Sequence, residues 1–134
     1  TFMPDTPTRC LDMTKGLPFD QESVQVLIAD LSIHYFDEKT THELIRDLHR
    51  VLKKDGILLC RVNSTNEINN VGETSPSDER YVLESEGIYR RFFDRGEIER
   101  FFKPTEWSYV YVEEYEMDRY KNPKMLWEIA LLPR

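Results

Sequence analysis

The residues of this sequence best placed to do chemistry sit where apolar runs stop. Asp30 closes the run Val-Gln-Val-Leu-Ile-Ala at positions 24–29. A carboxylate at such an end can hold an amino group, orient a bound molecule or take its proton; it can equally cap the turn that follows. His34 and Tyr35 come next on the same connection and could bound a pocket. A histidine is the natural base near neutral pH, although one beside aromatic residues also reads as a packed, hydrogen-bonded side chain. Asn63 and Ser64 close a second apolar run, Ile57 to Val62, and so point into the same crevice. Tyr89, Arg90 and Arg91 could reach over it and hold an anion, because Arg pairs bidentately with carboxylate or phosphate. Solvated surface arginines are the plainer reading. Cys10 and Cys60 lie in apolar stretches with no CxxC spacing and no nearby histidine pair. Buried free thiols in a reducing compartment are expected, with no metal site.

The elements that must carry these residues follow from periodicity and capping. Residues 8–13 form a short apolar run, expected as a strand ending at Asp12, and residues 14–23 a loop. The run at 24–31 is nearly continuously apolar, as in strands covered on both faces of a parallel sheet. Thr40 and Glu43 fit a capping box. Leu44, Ile45, Leu48, Val51 and Leu52 make one apolar stripe, Lys53 and Lys54 suit the negative end of the helix dipole, and Asp55-Gly56 is the expected stop. A strand at 57–62 follows at once. Strand, helix and strand in this order make a βαβ unit with parallel strands, hence an α/β protein.

Beyond it, residues 63–80 are polar, and a long loop there would follow the carboxyl end of a strand, where open α/β sheets place ligands. A second capped helix is expected from Asp94, with Glu97 three residues on and Ile98, Phe101 and Phe102 on one face, ending at Pro104. Strands at 107–115 and 124–132, joined by a turn at 121–124, should pair as an antiparallel hairpin. Trp107, Tyr109 and Tyr111 are expected to pack the sheet.

A parallel sheet finished by one antiparallel hairpin resembles the class I S-adenosylmethionine-dependent methyltransferase fold, whose last strand inserts antiparallel between two others. Residues 11–19, Leu-Asp-Met-Thr-Lys-Gly-Leu-Pro-Phe, resemble the third-strand segment of that family, and residues 28–36, Ile-Ala-Asp-Leu-Ser-Ile-His-Tyr-Phe, the fourth. His49-Arg50-Val51-Leu52-Lys53-Lys54-Asp55-Gly56 is similar to its helix-to-strand join. Arg61-Val62-Asn63-Ser64 and Arg91-Phe92-Phe93-Asp94 look like further segments of a bacterial small-molecule branch.

The resemblance implies a Rossmann-like sheet, mostly parallel and ending in the hairpin, in a single partial domain over residues 1–134. It implies S-adenosyl-L-methionine as cofactor, with Asp12 and Met13 at the adenine and Asp30 and Leu31 near the methyl donor. Asp30 and His34 are then the candidate catalytic residues, and Tyr35, Asn63 and Arg90 the candidate contacts to a small-molecule acceptor. The family's Gly-x-Gly loop and the acidic end of its second strand have no counterpart here, and the chain begins at Thr1 without a methionine. A truncated methyltransferase is therefore expected. The alternatives are a non-catalytic module that keeps the fold's latter half, or another doubly wound α/β protein.

In the family's sheet two further strands lie between the third and the fourth. Without them strand 24–31 should expose an apolar edge, and a homodimer through that edge is expected. The net charge of −7, from 18 Lys and Arg against 25 Asp and Glu, disfavours a phosphate backbone as partner. No run approaches the length of a membrane helix and no signal pattern opens the chain, so a cytoplasmic protein without a membrane partner is expected.

Overall fold

The computed structural model describes residues 5–67, 73–75, 78–83, 87–118 and 123–134. Its elements are β1 (Val24–Asp30), α1 (Glu38–Val51), β2 (Leu52–Asn63), β3 (Glu73–Ser75), β4 (Asp78–Leu83), β5 (Tyr89–Arg91), α2 (Arg95–Phe101), β6 (Trp107–Met117) and β7 (Lys124–Pro133).

Four strands form the main sheet in the order β1-β2-β7-β6. β1 and β2 pair in parallel, with Ile28 beside Leu59 and Asp30 beside Arg61. β7 runs antiparallel to both its neighbours, β2 and β6. Three of the four strands therefore share one direction, and the last strand is inserted between two others, as expected. A second sheet of three antiparallel strands, β3-β4-β5, forms in the stretch after β2.

α1 forms because its apolar stripe has a face to bury. Leu44, Ile45, Leu48 and Val51 are at most 3% exposed, the first three packed with Ala29, Leu58, Cys60, Ile129 and Leu131 from the sheet. Each such aliphatic side chain contributes about 1.5–3 kcal/mol by leaving water. α2 adds Ile98 and Phe101 to the same core. Asp94 caps α2 as expected, accepting the Glu97 amide at 2.7 Å.

Several expectations are corrected. The cap of α1 is Asp37, not Thr40: its carboxylate accepts the Thr40 amide at 2.8 Å, and its carbonyl accepts the Thr41 hydroxyl at 2.6 Å. α1 stops at Val51, and Lys53 to Gly56 belong to β2. A β-carbon at Gly56 would lie 2.9 Å from the Gln25 carbonyl and 3.1 Å from that of Val24, so this glycine lets two strands approach rather than ending a helix. Residues 8–12 form no strand, because no neighbouring strand among the described residues takes up their backbone groups. A 3-10 turn, Met13–Lys15, follows them. Cys10 is exposed, whereas Cys60 is buried and its thiol is pushed up to about 12 by that burial.

The polar stretch after β2 contains β3 and the start of β4 rather than only loop. Of the expected hairpin turn, Lys121 and Asn122 lie outside the described residues.

One further correction bears on function. β1 is covered on one face only. Val26 and Ile28 are 52% and 69% exposed on the other face, where Leu59 also reaches solvent. With Tyr111, Glu128 and Ala130, Ile28 and Leu59 line a shallow cavity of about 270 Å³. The helices α1 and α2 both pack on the opposite face.

Candidate functional site

β1 and β2 end side by side, and the residues after them converge. Asp30 accepts two hydrogen bonds from one guanidinium, Arg61 Nε to Oδ1 at 2.5 Å and Nη2 to Oδ2 at 2.6 Å. Arg61 also donates to the Tyr115 hydroxyl at 2.8 Å. These bonds raise the Arg61 pKa, those to Asp30 first. The pair is half open to solvent, so its worth to stability is small. Its value is positional: a fork of N–H donors on both oxygens fixes the orientation of the carboxylate.

The next residue, Leu31, takes a left-handed backbone, φ 54°, and its amide donates to the Arg61 carbonyl at 3.0 Å. For a leucine this conformation costs about 1–2 kcal/mol, and such outliers concentrate at ligand sites. It turns the chain sharply off the sheet at the strand end.

Ile33 and His34 then go inward, each 1% exposed. The Asn63 amide donates to His34 Nδ1 at 3.3 Å, and the His34 carbonyl accepts the Arg91 amide at 2.7 Å. With Nδ1 accepting, the imidazole proton belongs on Nε2. Burial, with Lys124 and Arg90 adding to it and Asp30 opposing, lowers the His34 pKa to about 3. Desolvation favours the neutral ring and makes it a poor proton acceptor.

Tyr35 stays exposed, its ring facing the Arg90 guanidinium at 5.6 Å, and its carbonyl accepts the Tyr81 hydroxyl at 3.0 Å. Arg91 is fully buried, against the surface reading given to it, with Nε donating to the Phe36 carbonyl at 3.2 Å and its cation over Phe101.

Asn63 is 1% exposed and its Oδ1 has no hydrogen-bond partner among the described residues. Its backbone carbonyl accepts the Phe93 amide at 2.8 Å. An unpaired buried acceptor costs about 1–3 kcal/mol, which a donor on a bound molecule would relieve. Ser64 donates to the Glu114 carboxylate, which also accepts from Asn66 at 3.0 Å.

The structure thus brings together Asp30, Leu31, His34, Tyr35, Asn63 and Arg90. Met13 lies apart from them, at a cavity of about 230 Å³ that it shares with Leu17, Ser32 and Ile33, so it still reaches the segment following β1. Asp12 is exposed and turned inward on its own turn. Its carboxylate accepts the Thr14 hydroxyl at 2.6 Å and amide at 3.0 Å, which lower its pKa. Sequence reading missed Arg61, Tyr115 and Glu114. The one available signal was a lone arginine within Ile-Leu-Leu-Cys-Arg-Val.

Residues 3–60 match the family model of the methyltransferase domain. No curated protein matches the chain. A SAM-dependent methyltransferase from Methanosarcina mazei superposes with a TM-score of 0.73 at 15% identity, over 91% of this chain and 64% of that one. The S-adenosylmethionine-dependent methyltransferase from Mesorhizobium loti gives 0.71 at 18% identity, over 98% and 71%. The Burkholderia thailandensis 1,6-didemethyltoxoflavin-N1-methyltransferase, solved with 1,6-didemethyltoxoflavin and S-adenosylhomocysteine bound, gives 0.68 at 10% identity, over 92% and 48%. Against the Methanosarcina protein the chain spans less than two thirds of the length.

Fold and family match agree: this chain has the class I S-adenosylmethionine-dependent methyltransferase fold, an α/β Rossmann-like sheet with an antiparallel final strand. Among the described residues no helix is long and apolar enough to cross a membrane.

Proposed function

We propose that this chain supplies the acceptor-side part of an S-adenosyl-L-methionine-dependent methyltransferase acting on a small molecule. The observation that carries the reading is the convergence of Asp30, the strained Leu31, His34 and Asn63 at the joined carboxyl ends of β1 and β2. That position is where open α/β sheets hold ligands.

Methyl transfer from a sulfonium needs little from the protein beyond alignment and exclusion of water, because the donor is already activated. In this reading Asp30, fixed by Arg61, orients the donor, and the Leu31 segment and Met13 border the cofactor. The buried Asn63 Oδ1 accepts a hydrogen bond from an acceptor molecule, with Tyr35 and Arg90 at the mouth. His34 acts as a neutral positioning group rather than as a base.

Titration calorimetry with S-adenosylhomocysteine tests this. The expected result is saturable binding that Asp30→Ala weakens roughly tenfold, the equivalent of about 1.4 kcal/mol. No heat up to millimolar ligand would leave the alternative, a non-catalytic module that keeps the fold for binding or assembly.

A homodimer through β1 is proposed on a separate observation. β1 is an edge strand, and Val26 and Ile28 beside that edge are exposed. Unprotected apolar edges recruit further strands. Light scattering is expected to show a dimer at high concentration that Ile28→Lys shifts towards monomer. A monomeric parent chain under the same conditions refutes it.

A further inference from the structure

At the opposite end of the sheet from the β1–β2 crevice lies a second concavity, about 340 Å³, between α1, the segment after α2 and the last residue of the chain. His42, Arg46 and His49 fall at i, i+4 and i+7 on α1 and line one wall. Lys103 and Arg134 line the other, and Ile45, Phe101 and Trp107 form an apolar floor.

The walls are held in place by specific contacts. His49 is hydrogen-bonded through Nε2 to the Glu106 carbonyl at 3.0 Å, and its ring meets Trp107 edge-on at 5.0 Å. The Arg134 amide donates to the Glu106 carbonyl at 2.8 Å and its Nε to the Trp107 carbonyl at 3.3 Å. The His42 ring lies 4.4 Å from that of Phe101.

Charge is what sets this place apart on an acidic protein. Among the lining side chains, Arg46, Lys103 and Arg134 face a single carboxylate, Glu106. Arg46 and Lys103 make no ion pair among the described residues. The nearby Arg100 is different, because Glu38 and Glu97 already compensate it. Burial and the surrounding cations, Arg100 first, lower the His42 pKa against the pull of Glu38, as a positive local field would. An apolar floor strengthens attraction to an anion by lowering the effective dielectric.

We propose that this concavity binds a small oxyanion of two negative charges, such as a phosphate monoester or a dicarboxylate, held by the Arg46 and Arg134 forks and the Lys103 ammonium. Guanidinium groups bind both kinds of oxyanion bidentately, and the volume suits a small ligand. The site is remote from the crevice, so a ligand here would act without competing for it.

The test is an NMR titration of the full chain with inorganic phosphate and, separately, with succinate, at fixed ionic strength. Saturable shifts centred on residues 42–49, 103–107 and 134 are expected for at least one probe. Arg46→Ala and Lys103→Ala, both at exposed positions, should each weaken binding at least fivefold while leaving the rest of the spectrum unchanged. Preference between the probes tells phosphate from dicarboxylate. Shifts that do not saturate, spread over all surface lysines, or persist unchanged in the double variant overturn the proposal. Since S-adenosylhomocysteine binds elsewhere, its titration in the same variants separates failure of this site from failure of the crevice.

Discussion

Acidification from pH 6.5 to pH 4.5 should strip this protein of much of its stability, and His34 should be the cause. The His34 pKa falls from an ordinary 6.5 to about 3 in the fold, with burial the largest reason. Between those values the unfolded chain binds a proton that the folded chain refuses, so stability is fully present above pH 6.5 and is lost as pH falls. Each unit is worth about 1.4 kcal/mol, which makes the loss about 2–3 kcal/mol between pH 6.5 and 4.5, against a typical total of about 5–15 kcal/mol. Asp12 and Asp37, whose pKa values are lowered from 3.8 by bonds to Thr14 and Thr40, add their loss below that range. Urea unfolding at a series of pH values measures the slope. His34→Gln retains an acceptor for the Asn63 amide and should flatten the slope between pH 6.5 and 4.5. An unchanged slope in that variant would show that His34 does not carry the effect.

The same burial decides what His34 can do in a reaction. At neutral pH the ring is uncharged, Nδ1 is occupied by the Asn63 amide, and Nε2–H is left as a donor. Proton abstraction is then a task for the acceptor's own chemistry or for solvent, which is compatible with methyl transfer to a nucleophile that needs little activation. Asp30 is similarly committed, its two oxygens already engaged by Arg61.

Local signals made much of the fold legible. The stripe Leu44, Ile45, Leu48 and Val51 located α1 because 3.6-residue periodicity is written in consecutive residues. The Asp94 cap of α2 and the β6–β7 hairpin were readable for the same reason. Errors arose where two local signals competed or where the partner was distant. Thr40-x-x-Glu43 and Asp37-x-x-Thr40 both resemble a helix start, and only the Asp37 carboxylate meets an amide there. Lys53 to Gly56 look like a helix terminus until the Gln25 carbonyl is found 2.9 Å from where a Gly56 β-carbon would sit. The Asp30–Arg61 pair depends on the register of two strands separated by a helix, and no periodicity encodes that register. Arg91 looked like surface because its shell comes from separate parts of the chain: Phe36 in the connection before α1, Tyr81 on β4 and Phe101 on α2.

Replacing Phe93 by alanine should be the most damaging single change near the crevice. Phe93 is 0% exposed and its ring meets Phe101 edge-on at 5.8 Å. Its backbone joins three parts of the molecule: the amide donates to Asn63, and the carbonyl accepts the Thr65 amide at 2.9 Å and the Trp127 indole at 2.8 Å. A Phe-to-Ala change at such a position costs about 3–5 kcal/mol, the lost transfer energy plus the cavity left behind. The backbone bonds do not need the ring, but the ring is what keeps them dry. Trp127→Phe removes only the indole donor and should cost about 1 kcal/mol. Denaturant midpoints measured for both variants check the ranking. If Phe93→Ala costs no more than Trp127→Phe, the core does not close over the crevice as the packing indicates. If the ranking holds, the Asn63 and His34 resonances should broaden in Phe93→Ala but not in Trp127→Phe, because Phe93 packing holds the end of β2 against β5.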